Sequence, residues 1–150
     1  MKDNKHLFTN AEALADDVME TVAGGYGENV TASGSFSSQT GTSLNLLVVW
    51  NASVDGFGQK SLSVSVCTTS YSLYSGALAN AVELTVNGIT YTATPNAINY
   101  GGNTIATNVL ASFQIPNAVG PASITARWHF NGTYSGVPIN TITASGVAAF

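Results

Sequence analysis

Beyond residue 25, the side chains that could act as base, acid, nucleophile or metal ligand are Glu28, Asp55, Cys67, Glu83 and His129. They are far apart in sequence. A Ser–His–Asp relay can be drawn from His129, Asp55 and one of many serines, because such triads gather residues from distant positions. There is no Gly-x-Ser-x-Gly elbow, the sharp strand-to-helix turn that presents a nucleophilic serine. His129 follows Trp128 in an alternating run and reads first as a surface strand residue. A calcium site needs six to eight oxygens, usually with clustered carboxylates. Asp55-Gly56 with Asn51 offers one carboxylate and one amide carbonyl, which reads first as a turn. No His/Cys pair has zinc spacing, and no glycine loop has the pattern that cradles phosphates. The expectation is a non-enzymatic protein with no catalytic residue, no metal and no cofactor.

Cys67 is the sole cysteine, so an intrachain disulfide is impossible. In Ser61-Leu-Ser-Val-Ser-Val-Cys67 it falls on the side opposite Leu62, Val64 and Val66. If that apolar row faces the core, Cys67 is on the polar side. Either an intermolecular disulfide or an inert buried thiol follows from that placement. Tyr71, Tyr74, Tyr91, Tyr100 and Tyr134 could stack on sugars, as in lectin-type β-sandwiches, or serve as ordinary cross-strand packing. Carbohydrate is therefore kept as a possible ligand.

The elements that must position these residues are strands. Leu44, Leu46, Val48 and Trp50 alternate with Leu47 and Val49, a pattern that predicts a strand covered on both faces. Val82, Leu84 and Val86 alternate with Glu83 and Thr85. Asn87-Gly88 and Ile89-Thr90-Tyr91-Thr92 follow. Asn-Gly between alternating runs predicts a type I′ hairpin, because both residues tolerate positive φ. Further strands are expected at 104–115, 122–131 and 139–150, separated by Gly101-Gly102-Asn103, Pro116-Asn117, Gly120-Pro121 and Asn131-Gly132. Ile124, Ala126, Trp128 and Phe130 form one apolar row, with Arg127 and His129 on the other side. The fold class expected is all-β: an antiparallel β-sandwich of about six to nine strands, preceded by a short N-terminal amphipathic helix.

Charge divides the chain at Gly24-Gly25. The first 25 of its 150 residues hold Lys2, Asp3, Lys5, Glu12, Asp16, Asp17 and Glu20; the rest hold only Glu28, Asp55, Lys60, Glu83 and Arg127. Two basic residues in 125 cannot neutralise a phosphate backbone, so nucleic acid is excluded as a partner. No stretch has the roughly 18–20 apolar residues of a transmembrane helix, so no transmembrane segment is expected. A surface with so few ions offers little repulsion between copies, which favours a homo-oligomer or polymer. The organisation read from the sequence is 1–25, a helical segment; 26–41, a Gly/Ser/Thr-rich arm or edge strand; and 42–150, the β domain.

Residues 9–23 read as a helix. Thr9 and Glu12 have capping-box spacing. Ala11, Leu14, Ala15, Val18, Met19 and Val22 share one face at intervals of three and four. Gly24-Gly25 terminates it. Such a helix could pack on the domain. The stretch also resembles the double-glycine leaders read by peptidase-containing ABC exporters of bacteria. Those leaders carry apolar residues four, seven and twelve positions before the cut, here Val22, Met19 and Leu14, and end in Gly-Gly. Val18 stands where the family usually has glutamate. The opening Leu7-Phe8-Thr9-Asn10 is similar to leaders of small secreted cyanobacterial proteins of bacteriocin-like and biofilm-promoting types. The resemblance implies recognition through Leu14, Met19 and Val22, cleavage after Gly25, an exporter as partner and a secreted or cell-surface location. It also makes a bacteriocin-like protein an alternative to a structural, self-associating matrix component.

Overall fold

A computed structural model describes residues 29–38, 44–75 and 81–150. The expected helix and leader, including Leu14, Met19, Val22, Gly24 and Gly25, lie outside the described residues. The described chain is all-β. Its 12 strands are β1 (Asn29–Ser37), β2 (Asn45–Val54), β3 (Lys60–Ser70), β4 (Leu73–Ser75), β5 (Val82–Val86), β6 (Ile89–Ala93), β7 (Ile98–Tyr100), β8 (Ala106–Pro116), β9 (Ala122–Trp128), β10 (Gly132–Tyr134), β11 (Val137–Ile139) and β12 (Ile142–Ala148).

Two four-stranded antiparallel sheets, ordered β1-β2-β3-β8 and β12-β9-β5-β6, are joined by two-stranded ribbons, β4-β7 and β10-β11. One core cluster takes residues from both sheets: Leu46, Val48, Trp50, Leu62, Val64 and Val66 from one, Val82, Leu84, Ile124, Ala126, Trp128 and Ile142 from the other. This is the two-layer arrangement in which alternating side chains of each sheet point inward. Burying each large aliphatic side chain contributes about 1.5–3 kcal/mol, so the inner rows supply the main stabilisation. One lateral side closes where β1 meets β12. Gly146 sits under the Phe36 ring, and a Cβ there would stand 2.5 Å from it. Gly34 makes room for Trp50 in the same way, at 2.8 Å.

The Asn87-Gly88 turn is as expected: Val86 pairs with Ile89, and φ is 50° at Asn87 and 86° at Gly88. The strand count is a correction. Twelve strands replace the six to nine expected, because four of them, in the ribbons, have three residues each and are too short to show alternation. Asn131-Gly132 is met in part: Asn131, with φ of 49°, lies in the connection after β9, but Gly132 already opens β10. The reversal lies at Ser135-Gly136, with φ of 51° and 77°.

Candidate functional site

Among the described residues, His129 is the one ionisable base with two side-chain partners of catalytic type. Its Nε2 is 3.1 Å from Glu83 Oε1, and its Nδ1 is 3.0 Å from Thr141 Oγ1. Local folding explains the meeting. β9 runs beside β5, with Glu83 opposite Arg127 and Val82 opposite Trp128, so His129 emerges just past the end of that ladder. The β9–β12 pairing starts at Trp128 opposite Ile142, which brings Thr141 alongside. The trio is formally a hydroxyl–imidazole–carboxylate relay. It lies on an open sheet face, with the His129 and Glu83 side chains 33% and 37% exposed. Acyl transfer also needs preorganised donors in a water-excluded site. The cleft of about 220 Å³ between β6 and the end of β8 is lined by Val86, Ile89, Tyr91, Ile115 and Val119 among others, and contains none of the trio. The trio is a hydrogen-bonded set of side chains on this open face.

Asp55 is elsewhere. It starts the β2–β3 turn, where its Oδ1 accepts the Phe57 and Gln59 N–H groups at 2.8 and 3.0 Å. This is the side-chain-closed turn for which aspartate is suited. The triad drawn from His129 and Asp55 is therefore not assembled; Glu83 is the carboxylate that reaches the imidazole. Its signal was present in the sequence, since Glu83 alternates out of an apolar row as His129 does. Thr141, just before a strand, had no such signal. Among the described residues no group of three His, Cys, Asp or Glu side chains is gathered as a metal site needs.

Cys67 is fully buried on the face opposite the core row, and burial alone pushes its thiol from 9.0 up to about 12. The tyrosines divide. Tyr134 is buried and its hydroxyl accepts the Tyr71 N–H at 3.1 Å. Tyr100 donates to the Thr104 carbonyl at 2.8 Å. Tyr91 packs on the core cluster. Tyr71 and Tyr74 are 43% and 66% exposed at the β4–β7 end.

The four edge strands form the other candidate surface. β1, β8, β12 and β6 each pair on one side only within their sheets, and β1 and β12 touch each other through side chains along one lateral side, where Phe36 meets Gly146. Together they span Asn29–Ser37, Ala106–Pro116, Ile142–Ala148 and Ile89–Ala93, and none contains a Lys, Arg, Asp or Glu. The strand charges Lys60, Glu83 and Arg127 all lie on interior strands, β3, β5 and β9. Sheet edges are ordinarily guarded by charge, proline or bulges. Two of the edge strands carry a bulge, at Thr31 on β1 and at Leu110 on β8, where Asn96 N–H also donates to the Leu110 carbonyl at 2.8 Å; the proline of β8 is its last residue, and β6 and β12 have neither device.

No protein-family model, curated protein or solved structure matches the chain. Among the described residues no helix is long and apolar enough to cross a membrane.

Proposed function

We propose that this is a secreted structural protein of the cell surface or extracellular matrix that self-associates by strand addition. The observation that carries the reading is the complete absence of charge from the four edge strands. An edge presents a row of main-chain donors and acceptors, and an added strand satisfies them without any specific side chain. With no ions to strip of water or to repel, contact between two such edges has little electrostatic cost. Exposed apolar residues accompany the edges: Ile89 on β6 and Val147 on β12 are 60% and 61% exposed.

Export belongs to the same reading. The leader is removed by a peptidase-containing ABC exporter after Gly25, and the product begins at Tyr26. Intact mass of the protein from cells and medium of its host tests this. A secreted species starting at Tyr26, found in high-molecular-weight material, is expected. A full-length species confined to cells as a monomer overturns the reading. Replacing Gly25 with tryptophan is expected to block removal, because a side chain there obstructs a channel shaped for two glycines.

A carbohydrate-binding role is the second reading. The exposure of Tyr71 and Tyr74 on one end of the molecule favours it. A glycan array with Tyr71→Ala and Tyr74→Ala controls tests it. Binding lost in both variants would support that role.

A further inference from the structure

The sheet ordered β12-β9-β5-β6 ends in two strands whose free main-chain groups can be assigned from its ladder. Asn87 N–H donates to the Ser123 carbonyl at 3.0 Å, and His129 N–H to the Ala81 carbonyl at 2.9 Å, at the two ends of the β5–β9 pairing. In an antiparallel pair, hydrogen-bonded and non-hydrogen-bonded couples alternate. Glu83/Arg127 and Thr85/Thr125 are therefore the bonded couples between β5 and β9. The residues between them turn their groups the other way. Ile124 and Ala126 bond to Gly146 and Ala144 of β12, and Leu84 and Val86 to Tyr91 and Ile89 of β6. The groups that face away from the sheet belong to Thr90 and Thr92 on β6 and to Thr143, Ser145 and Val147 on β12.

These two edges match in direction, in face and in side-chain size. β12, β9, β5 and β6 are antiparallel in turn, so β12 and β6 run opposite ways. A second copy set alongside in the same orientation therefore offers its β12 antiparallel to β6. The five residues with free groups all have exposed side chains on the outer face, so pairing them keeps the two inner rows on one side. A row of hydroxyls crosses that outer face. Ser145 Oγ is 3.2 Å from Thr125 Oγ1, and Thr85 Oγ1 is 2.9 Å from Thr90 Oγ1, with Thr125 and Thr85 opposite each other. The row stops at Thr90, and the Ser145 of a second copy continues it. In that register the inner couples are Ile89/Gly146, Tyr91/Ala144 and Ala93/Ile142, a large residue against a small one each time.

We infer that β12 of a second copy adds to β6, with Thr90 opposite the Ser145, and Thr92 opposite the Thr143, of that copy. The inference rests on self-association by strand addition and names the edges and register that carry it. Each bonded couple exchanges both N–H···O bonds. Ile89, 60% exposed, comes beside the second copy's Gly146, where the Phe36 ring of that copy lies. The ring then stands near the cleft walled by Ile89, Tyr91, Ile115 and Val119. The joint is head-to-tail, so every added copy leaves its own β6 free and growth does not stop at a pair. The other sheet is also four strands wide and keeps step, its β8 facing the next copy's β1. Four strands at about 4.8 Å each give a filament one copy per roughly 19 Å.

The test uses the full chain with Cys67→Ala, so that each added cysteine is the only thiol. Chains with Thr90→Cys are mixed with chains with Ser145→Cys under mild oxidation. The mixture is expected to form disulfide-linked pairs at least ~10-fold faster than either chain alone. It is also expected to be at least ~10-fold faster than a mixture of Thr92→Cys with Ser145→Cys, which is out of register. Equal rates in the two mixtures overturn the register. Thr90→Cys linking to itself as fast as in the mixture places β6 against β6 and overturns the joint. In the chain with its native cysteine, Thr92→Pro removes an N–H that bonds only across the joint, a change that edge strands tolerate. It is expected to weaken association at least ~10-fold in sedimentation velocity, and it decides the matter should Cys67→Ala not fold. A parent that associates as well with Thr92→Pro as without it overturns this joint and leaves strand addition to the other edges. A parent that stays monomeric at every concentration overturns the joint and strand addition together.

Discussion

Interior and edge strands of this protein treat charge in opposite ways. The interior strands β3, β5 and β9 carry Lys60, Glu83 and Arg127, and the edge strands carry none. Two of these interior charges have a neighbour. Glu83 has His129 at 3.1 Å, and Lys60 Nζ lies 5.7 Å from the centre of the Phe150 ring. The usual protective arrangement places charge where a foreign strand would add. Here that position is filled by Ser, Thr, Asn and aliphatic residues, which an incoming strand meets without penalty. The same composition has a second outcome on the two outer faces. On the β9 sheet, Ser123, Thr143 and Ser145 are exposed; on the β2–β3 strip, Ser63 and Ser65 are buried.

The comparison breaks most visibly at the covered strip. Ser65→Lys introduces an unpaired charge into a buried position and is expected to cost about 3 kcal/mol or more. Ser123→Lys, on the open face of an interior strand, is expected to stay within about 0.5 kcal/mol of the parent. Urea unfolding of the two variants checks both. Similar losses would mean that the two faces do not differ in cover.

A smaller effect is expected from pH. The Cys67 thiol is raised from 9.0 to about 12, so the folded state holds its proton more tightly than the unfolded chain. The stabilisation is complete below about pH 9 and is lost as pH rises toward about 12. Between about pH 9 and 10.5 stability is expected to fall by about 1.5 kcal/mol on this account. Cys67→Ala should lack that component, and the difference between the two pH curves measures it. The smallest effect belongs to the interior ion pair. His129→Ala is expected to cost about 0.2–1 kcal/mol, the range for a solvent-screened pair, and the cost should shrink in 1 M salt.

Much of this was legible from the residues. Alternation in Leu44–Trp50, Val82–Val86 and Ile124–Trp128 gave the inner rows, because a period of two survives in any strand longer than about four residues. Asn87-Gly88 gave its hairpin, because few other pairs accept two positive φ angles. The apolar character of Leu47 and Val49 pointed to a strand covered on both sides, and Val49 is indeed buried. The three-residue ribbons were not legible, since a single period of alternation carries no signal. The His129–Glu83–Thr141 meeting was half legible: the outward face of each strand could be read, but which strands lie side by side is decided by the order β12-β9-β5-β6. The serines of β3 read only as the polar side of an alternating strand. Their burial depends on what lies over them, which no local pattern within β3 records.

Self-association through bare edges is the central claim, and sedimentation velocity across a concentration series tests it most directly. Two lysines are placed on edge strands in one variant, Ser112→Lys with Thr143→Lys, and two on an interior strand in the other, Ser123→Lys with Thr125→Lys. Both variants have the same net charge. The edge variant is expected to associate at least ~10-fold more weakly than the parent, with the interior variant unchanged. Equal association of the two variants, or a parent that stays monomeric at every concentration, would contradict the account.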